Sequence, residues 1–116
     1  MCAIFGICGE NNKPLLEKIS KSQFYRGPDS QNFFLDETNK VNLGSNRLAV
    51  VDAIGGSQPM KLEEDNYVIV FNGCIYNFNT IKKFLKKKNV EFASESDTEV
   101  LLKAYLFFGE KCFNYF

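Results

Sequence analysis
The chain opens on an unbroken apolar run, Cys2-Ala3-Ile4-Phe5-Gly6-Ile7-Cys8, which stops at Gly9 before a polar stretch through Lys13. With its β-branched and aromatic members, the run predicts a strand buried on both faces. Pro14 then stands where a first helical residue would. Leu15, Leu16, Ile19 and Phe24 keep roughly helical spacing until Arg26-Gly27-Pro28-Asp29 breaks it, which predicts a helix. Shorter runs at Asn32–Leu35, Val41–Leu43, Arg47–Val51 and Tyr67–Phe71 are parted by polar turns at Thr38-Asn39 and Glu64-Asp65-Asn66. Together they predict an antiparallel meander.

Helical spacing returns after Asn72-Gly73. Ile81, Phe84 and Leu85 mark one face of a helix whose other face carries Lys82, Lys83, Lys86, Lys87 and Lys88, a run read as solvated. Ser96-Asp97-Thr98-Glu99 has the spacing of a capping box, in which serine and glutamate each satisfy an orphan amide. Val100, Leu101, Ala104, Tyr105 and Phe108 follow as the apolar stripe of the helix so opened, and Gly109 stops it. The closing Cys112-Phe113-Asn114-Tyr115-Phe116 is aromatic where termini are usually polar. It reads either as a chain that stops inside a larger core or as a docked terminal segment.

Composition narrows the chemistry. The 116 residues suit one globular domain at most, and 14 basic against 14 acidic side chains leave no net charge to hold a nucleic acid. Histidine is absent, which excludes Ser-His and Cys-His dyads and imidazole metal ligands within this chain. The four cysteines, at 2, 8, 74 and 112, have neither C-x-x-C spacing nor a disulfide framework, and they read as reduced thiols. No signal peptide and no membrane-spanning run is evident, so the expected location is cytoplasmic, without a membrane partner. No metal site is expected.

Cys2 is the first candidate for chemistry. Initiator methionine is commonly removed before a small side chain, and Cys2 would then carry both a thiol and a free α-amine able to act as its base without histidine. Taken alone, Cys2 reads as an ordinary buried thiol. Asn72-Gly73 can offer a side-chain amide and a backbone N–H to one point, as an oxyanion requires, and it equally suits a hairpin turn.

Six segments change these readings. Met1-Cys2-Ala3-Ile4-Phe5-Gly6-Ile7, Tyr25-Arg26-Gly27-Pro28-Asp29-Ser30, Arg47-Leu48-Ala49-Val50-Val51-Asp52, Gln58-Pro59-Met60, Asn72-Gly73-Cys74-Ile75-Tyr76-Asn77 and Ser96-Asp97-Thr98-Glu99-Val100 follow one order and spacing. In these the chain resembles the N-terminal glutaminase domain of glutamine-hydrolysing asparagine synthetases, a class II glutamine amidotransferase of the N-terminal-nucleophile hydrolase type. The resemblance covers every residue of the chain but only the N-terminal part of such a domain. It implies an α+β fold, a four-layer α/β/β/α sandwich incomplete over residues 1–116, with no synthetase domain present.

The resemblance also assigns roles. Cys2 becomes the nucleophile toward the side-chain amide of glutamine, forming a thioester and releasing ammonia, with Asn72 and Gly73 at the oxyanion. Arg47 matches the arginine that binds the substrate α-carboxylate, a task its planar guanidinium suits, although an exposed strand arginine is the bland reading. Backbone groups of Val50 and Val51 line the same pocket, and Asp97 matches the acid that pairs with the substrate ammonium, where helix-dipole compensation is the alternative. Arg26 is a supporting residue near the nucleophile, in a Gly-Pro turn that needs no catalysis to explain it.

Cys74 departs from the family, which commonly has glutamate there to help hold the ammonium, so weaker glutamine binding or relaxed substrate choice is expected. The resemblance implies no cofactor for this chain; ATP and magnesium belong to a synthetase domain elsewhere. Expected partners are glutamine and such a domain, or a missing C-terminal half. The alternative is a catalytically silent fragment or module that must associate with a separate polypeptide. A thiol redox or metal-binding protein has the cysteines in its favour but not the spacing.

Overall fold
A computed structural model describes residues 2–49, 55–62 and 66–116. They fall into two compact regions, which are taken separately. A strand-rich region is formed by 2–49 with 57–62 and 66–73, and a helical region by 55–56 with 74–116. Strands and helices together make the fold α+β.

In the strand-rich region, β1 (Ala3–Cys8) is followed by α1 (Lys13–Ser22), a 3-10 turn at Phe24–Arg26, β2 (Ser30–Asp36) and β3 (Val41–Arg47). The Asn12 side chain caps α1 by accepting from the Leu15 amide at 3.0 Å, with Pro14 in the first turn as expected. The sheet order is β1-β3-β2, antiparallel throughout, with Phe5 opposite Gly44 and Phe33 opposite the same glycine. The Phe5 ring lies over Gly44, where a β-carbon would meet it at 2.1 Å, so glycine is required there. A second hairpin pairs β4 (Met60–Leu62) with β5 (Tyr67–Ile69).

Three expectations are corrected here. β1 has alternating burial rather than two buried faces, Ile4 being 41% exposed, and among the described residues it pairs only with β3. Of the expected meander, β2 and β3 pair antiparallel, but Tyr67–Ile69 pairs with β4 in a separate sheet. Val41–Leu43 and the start of Arg47–Val51 are one continuous strand, β3, through the polar Gly44-Ser45-Asn46 that the apolar pattern cannot register. Val50 and Val51 lie outside the described residues, as do the acidic residues of the expected turn at 64–65. The short strand β4 was not foreseen.

The helical region consists of α2 (Phe78–Lys86), α3 (Asp97–Phe108) and a 3-10 segment at Gly109–Asn114. Ile81, Leu85, Val100, Ala104 and Cys112 form its core, with Phe78, Val90, Phe92 and Phe108 packed around them. Gly109, at φ 61°, ends α3 as expected. Leu102 is buried while Tyr105 is 36% exposed, so the buried part of α3 is wider than the single stripe read from spacing. The chain end is docked rather than loose: Cys112 is fully buried, Tyr115 stacks on Phe108 at 4.6 Å, and Asn77 Nδ2 donates to the Tyr115 carbonyl at 2.7 Å. Phe113, Tyr115 and Phe116 nonetheless stay partly exposed.

Two polar expectations also change. Lys82 is not solvated; it is 4% exposed, pairs with Glu95 at 2.8 Å and donates to the Ser94 carbonyl at 2.7 Å. The Ser96 hydroxyl caps α3 through the Thr98 amide at 3.1 Å, but the reciprocal half of the capping box is not made. Glu99 is engaged instead with the Ala93 amide at 2.9 Å, the Ser94 amide at 2.7 Å, the Ser94 hydroxyl and Lys103 at 3.2 Å.

Candidate functional site
Cys2 lies half-buried just ahead of β1, where antiparallel pairing of β1 with β3 carries it past the end of the ladder toward Leu48. Its thiol donates to the Leu48 carbonyl at 3.5 Å, and the Leu48 amide donates to Sγ at 3.4 Å. The two peptide groups that flank the Leu48 α-carbon therefore both bond to the sulfur. Arg26, at the end of the 3-10 turn, donates from Nε to the Cys2 carbonyl at 3.3 Å, so the residue expected to support the site touches the backbone of the expected nucleophile.

The block that follows Arg26 is packed onto the end of β3. A β-carbon at Gly27 would stand 2.1 Å from the Asn46 carbonyl oxygen, which leaves glycine as the only residue that fits. Asp29 closes the arrangement. Its amide donates to the Arg47 carbonyl at 3.0 Å, and its Oδ2 accepts from the Ala49 amide at 2.8 Å. Arg47 itself is 6% exposed on β3, not the exposed strand arginine of the bland reading. Beside it, buried Asn46 exchanges bonds with Ser20 of α1: the Ser20 hydroxyl donates to Asn46 Oδ1 at 2.6 Å, and Asn46 Nδ2 donates to the Ser20 carbonyl at 2.7 Å. Helix α1 is thereby pinned to the strand that carries Arg47.

Asn72 and Gly73 are exposed and lie beyond β5, which ends at Ile69 rather than running to Phe71. A β-carbon on Gly73 would meet the Phe71 ring at 2.7 Å. In the helical region, Cys74 is exposed and Asp97 is 7% exposed. Asp97 Oδ2 accepts from the Ile75 amide at 3.1 Å, so this carboxylate fixes the backbone one residue past Cys74.

Asp29, Leu48, Asn46 and Ser20 were not singled out from sequence. Asp29 sits inside the Arg26-Gly27-Pro28-Asp29 block, and an acid following Gly-Pro in a turn was the one available signal. All four cysteines are free, and among the described residues no cluster of three or more histidine, cysteine or acidic side chains is arranged to hold a metal. No described helix is long and apolar enough to cross a membrane.

A half-buried cysteine thus lies ahead of the first strand, hydrogen-bonded to the Leu48 backbone, with Arg26 on its carbonyl. Residues 1–116 match the glutamine amidotransferase domain family, and the chain belongs to it. Its similarity to particular proteins is to asparagine synthetases. The chain is 35% identical to the glutamine-hydrolysing asparagine synthetase 1 of Bacillus subtilis over 96% of its own length and 18% of that relative's. It is 38% identical to asparagine synthetase 3 of the same organism, over 86% of this chain and 16% of the relative. A plant relative, asparagine synthetase 1 of Arabidopsis thaliana, is 32% identical over 94% of this chain and 19% of its own length. The chain thus spans less than a fifth of each of these relatives.

Proposed function
We propose that the chain hydrolyses glutamine to glutamate and ammonia through a thioester on Cys2. The observation that carries this reading is the Cys2 thiol held between the carbonyl and amide of Leu48, with Arg26 on its own carbonyl, in a chain of the amidotransferase family. Once Met1 is removed, the α-amine of Cys2 takes the thiol proton as Sγ attacks the amide carbon. Asn72 and the Gly73 amide stabilise the oxyanion. The C–N bond breaks, the ammonium proton passes to the leaving nitrogen, and ammonia departs. Water, giving its proton to the same amine, then attacks the thioester; glutamate leaves and the thiol is restored.

Arg47 takes the substrate α-carboxylate, and burial on β3 favours its charge-assisted pairing. The backbone of Val50 and Val51 belongs to the same pocket by resemblance. Asp97 is assigned the substrate ammonium, with one oxygen already committed to Ile75 and with Cys74 in place of a second carboxylate. The sheets and helices are read as part of a four-layer α/β/β/α sandwich. The ammonia feeds an asparagine-synthetase-type amidation in a synthetase domain, and ATP and magnesium are the business of that domain rather than of these residues.

The test is glutamine-dependent ammonia release by the 116-residue chain, with and without Cys2→Ala. Release that Cys2→Ala abolishes is expected. Release that survives the substitution removes Cys2 from the mechanism, and no release from the unaltered chain favours a silent module.

A further inference from the structure
Leu48 makes two opposed hydrogen bonds to the Cys2 sulfur, one through its carbonyl and one through its amide. Its carbonyl accepts from the thiol and so favours the protonated form. Its amide donates to sulfur, a bond that strengthens when the sulfur becomes anionic. The amide belongs to the Arg47–Leu48 peptide and the carbonyl to the Leu48–Ala49 peptide, and which of the two prevails depends on how each is oriented. Leu48 lies just past β3, outside the ladder that fixes Arg47, and its orientation must be set by something else.

Asp29 supplies it. Its amide holds the Arg47 carbonyl at 3.0 Å and its carboxylate holds the Ala49 amide at 2.8 Å, so the residues on both sides of Leu48 are tied to one acid. Gly27, seated against the Asn46 backbone, fixes the turn that brings Asp29 there. We propose that Asp29 is a positioning residue for the Cys2 nucleophile, acting through the two peptide groups on either side of Leu48, one held by its amide and the other by its carboxylate. The inference rests on the reading of Cys2 as nucleophile, but the contact chain Asp29–Ala49–Leu48–Cys2 can be tested without glutamine.

The experiment measures alkylation of Cys2 by iodoacetamide on the full chain, read by peptide mapping, at neutral pH and at a pH high enough to ionise the thiol completely. The ratio of the two rates reports how readily the thiolate forms, since a change in access scales both alike. Asp29→Ala, which frees the Leu48–Ala49 peptide whose carbonyl holds the thiol protonated while the Asp29 amide still holds the Arg47 carbonyl, is expected to raise this ratio roughly threefold to tenfold, the worth of about one hydrogen bond to sulfur. Asp29→Asn, which keeps an oxygen acceptor for the Ala49 amide, is expected to restore it to within about twofold of the unaltered chain. An unchanged or lowered ratio in Asp29→Ala, or an Asn variant as altered as the Ala variant, overturns the proposal.

Buried Cys112 serves as the folding control. Should Asp29→Ala make it reactive, amide hydrogen exchange on the unaltered chain decides instead: Leu48 and Ala49 amides slowed together support the clamp, and exchange at free-peptide rates overturns it. An Asp29 effect on Cys2 in a chain that releases no ammonia would count against the proposed reaction and leave this inference standing.

Discussion

The two regions are held together by different balances of forces. Among the described residues, the helical region buries the large apolar side chains Ile81, Leu85, Val100, Leu101 and Leu102 beside the polar Lys82, Ser96, Asp97, Thr98 and Glu99, whereas the strand-rich region buries Ala3 and Leu16 and otherwise Ser20, Asn42, Ser45, Asn46, Arg47 and Gln58. Apolar area removed from water, a force without direction, contributes mainly to the first. Hydrogen bonds with fixed partners, each modest in net value and costly when broken, act in both and carry more of the second. A polar interior fixes where atoms stand, as the Ser20–Asn46 exchange does for α1 on β3.

The largest expected effect is in the helical region. Leu85 is fully buried, and Leu85→Ala should destabilise the chain by about 2–5 kcal/mol in denaturant unfolding, through lost transfer energy and the cavity left among Ile81, Val100 and Ala104. A loss below about 1 kcal/mol would mean that this core collapses freely around the gap.

Asn46→Ala should cost less, about 1–3 kcal/mol, because it strands the Ser20 hydroxyl and leaves the Ser20 carbonyl with the Gln23 amide alone. The same unfolding measurement checks it, and its diagnostic feature is the partner. Adding Ser20→Ala removes the orphaned hydroxyl, so the double variant should lose less than the sum of the single losses. Strict additivity would show that the pair is not coupled and would erase the contrast between the regions.

A pH series sharpens the comparison further. Burial opposes the ionisation of Glu99, but bonds from the Ser94 hydroxyl, the Ala93 amide, Lys103 and the Ser94 amide outweigh it and hold the carboxyl below its ordinary value of 4.5. A carboxyl held low in the folded state adds stability that is fully present above its unfolded value and fades as pH falls through the folded one. The melting temperature should therefore drop on acidification below 4.5, and Glu99→Gln should flatten part of that drop. An unaltered acid slope in Glu99→Gln would assign the acid sensitivity to other carboxylates, such as Asp36, which its bonds from Asn39 also hold low.

What could be read from sequence follows the same division. The helices were legible because apolar spacing and caps are local signals: Leu85, Val100 and Ala104 announce a face, and Ser96 and Gly109 mark the ends of α3. The strand-rich region was legible only where it is apolar. Gly44-Ser45-Asn46 broke the pattern and divided β3, although these polar residues are buried. Lys82 was hidden in a run of lysines because its partner, Glu95, is thirteen positions away and carries no periodic signature. For the site, motif resemblance picked out Cys2, Arg26 and Arg47, and the structure places Arg26 against Cys2 and buries Arg47. The groups that orient them, Asp29 and the peptides flanking Leu48, act through bonds to backbone, and a backbone contact leaves no residue-type signal at its far end.

The central claim is that Cys2 is the glutamine-attacking thiol. A diazoketone analogue of glutamine, incubated with the 116-residue chain and followed by intact mass and peptide mapping, tests it most directly. The account predicts a single adduct, on Cys2, in protein that has lost Met1, with protection by excess glutamine and none on Cys8, Cys74 or Cys112. Equal labelling of all four thiols, or a protein that keeps Met1, would contradict it.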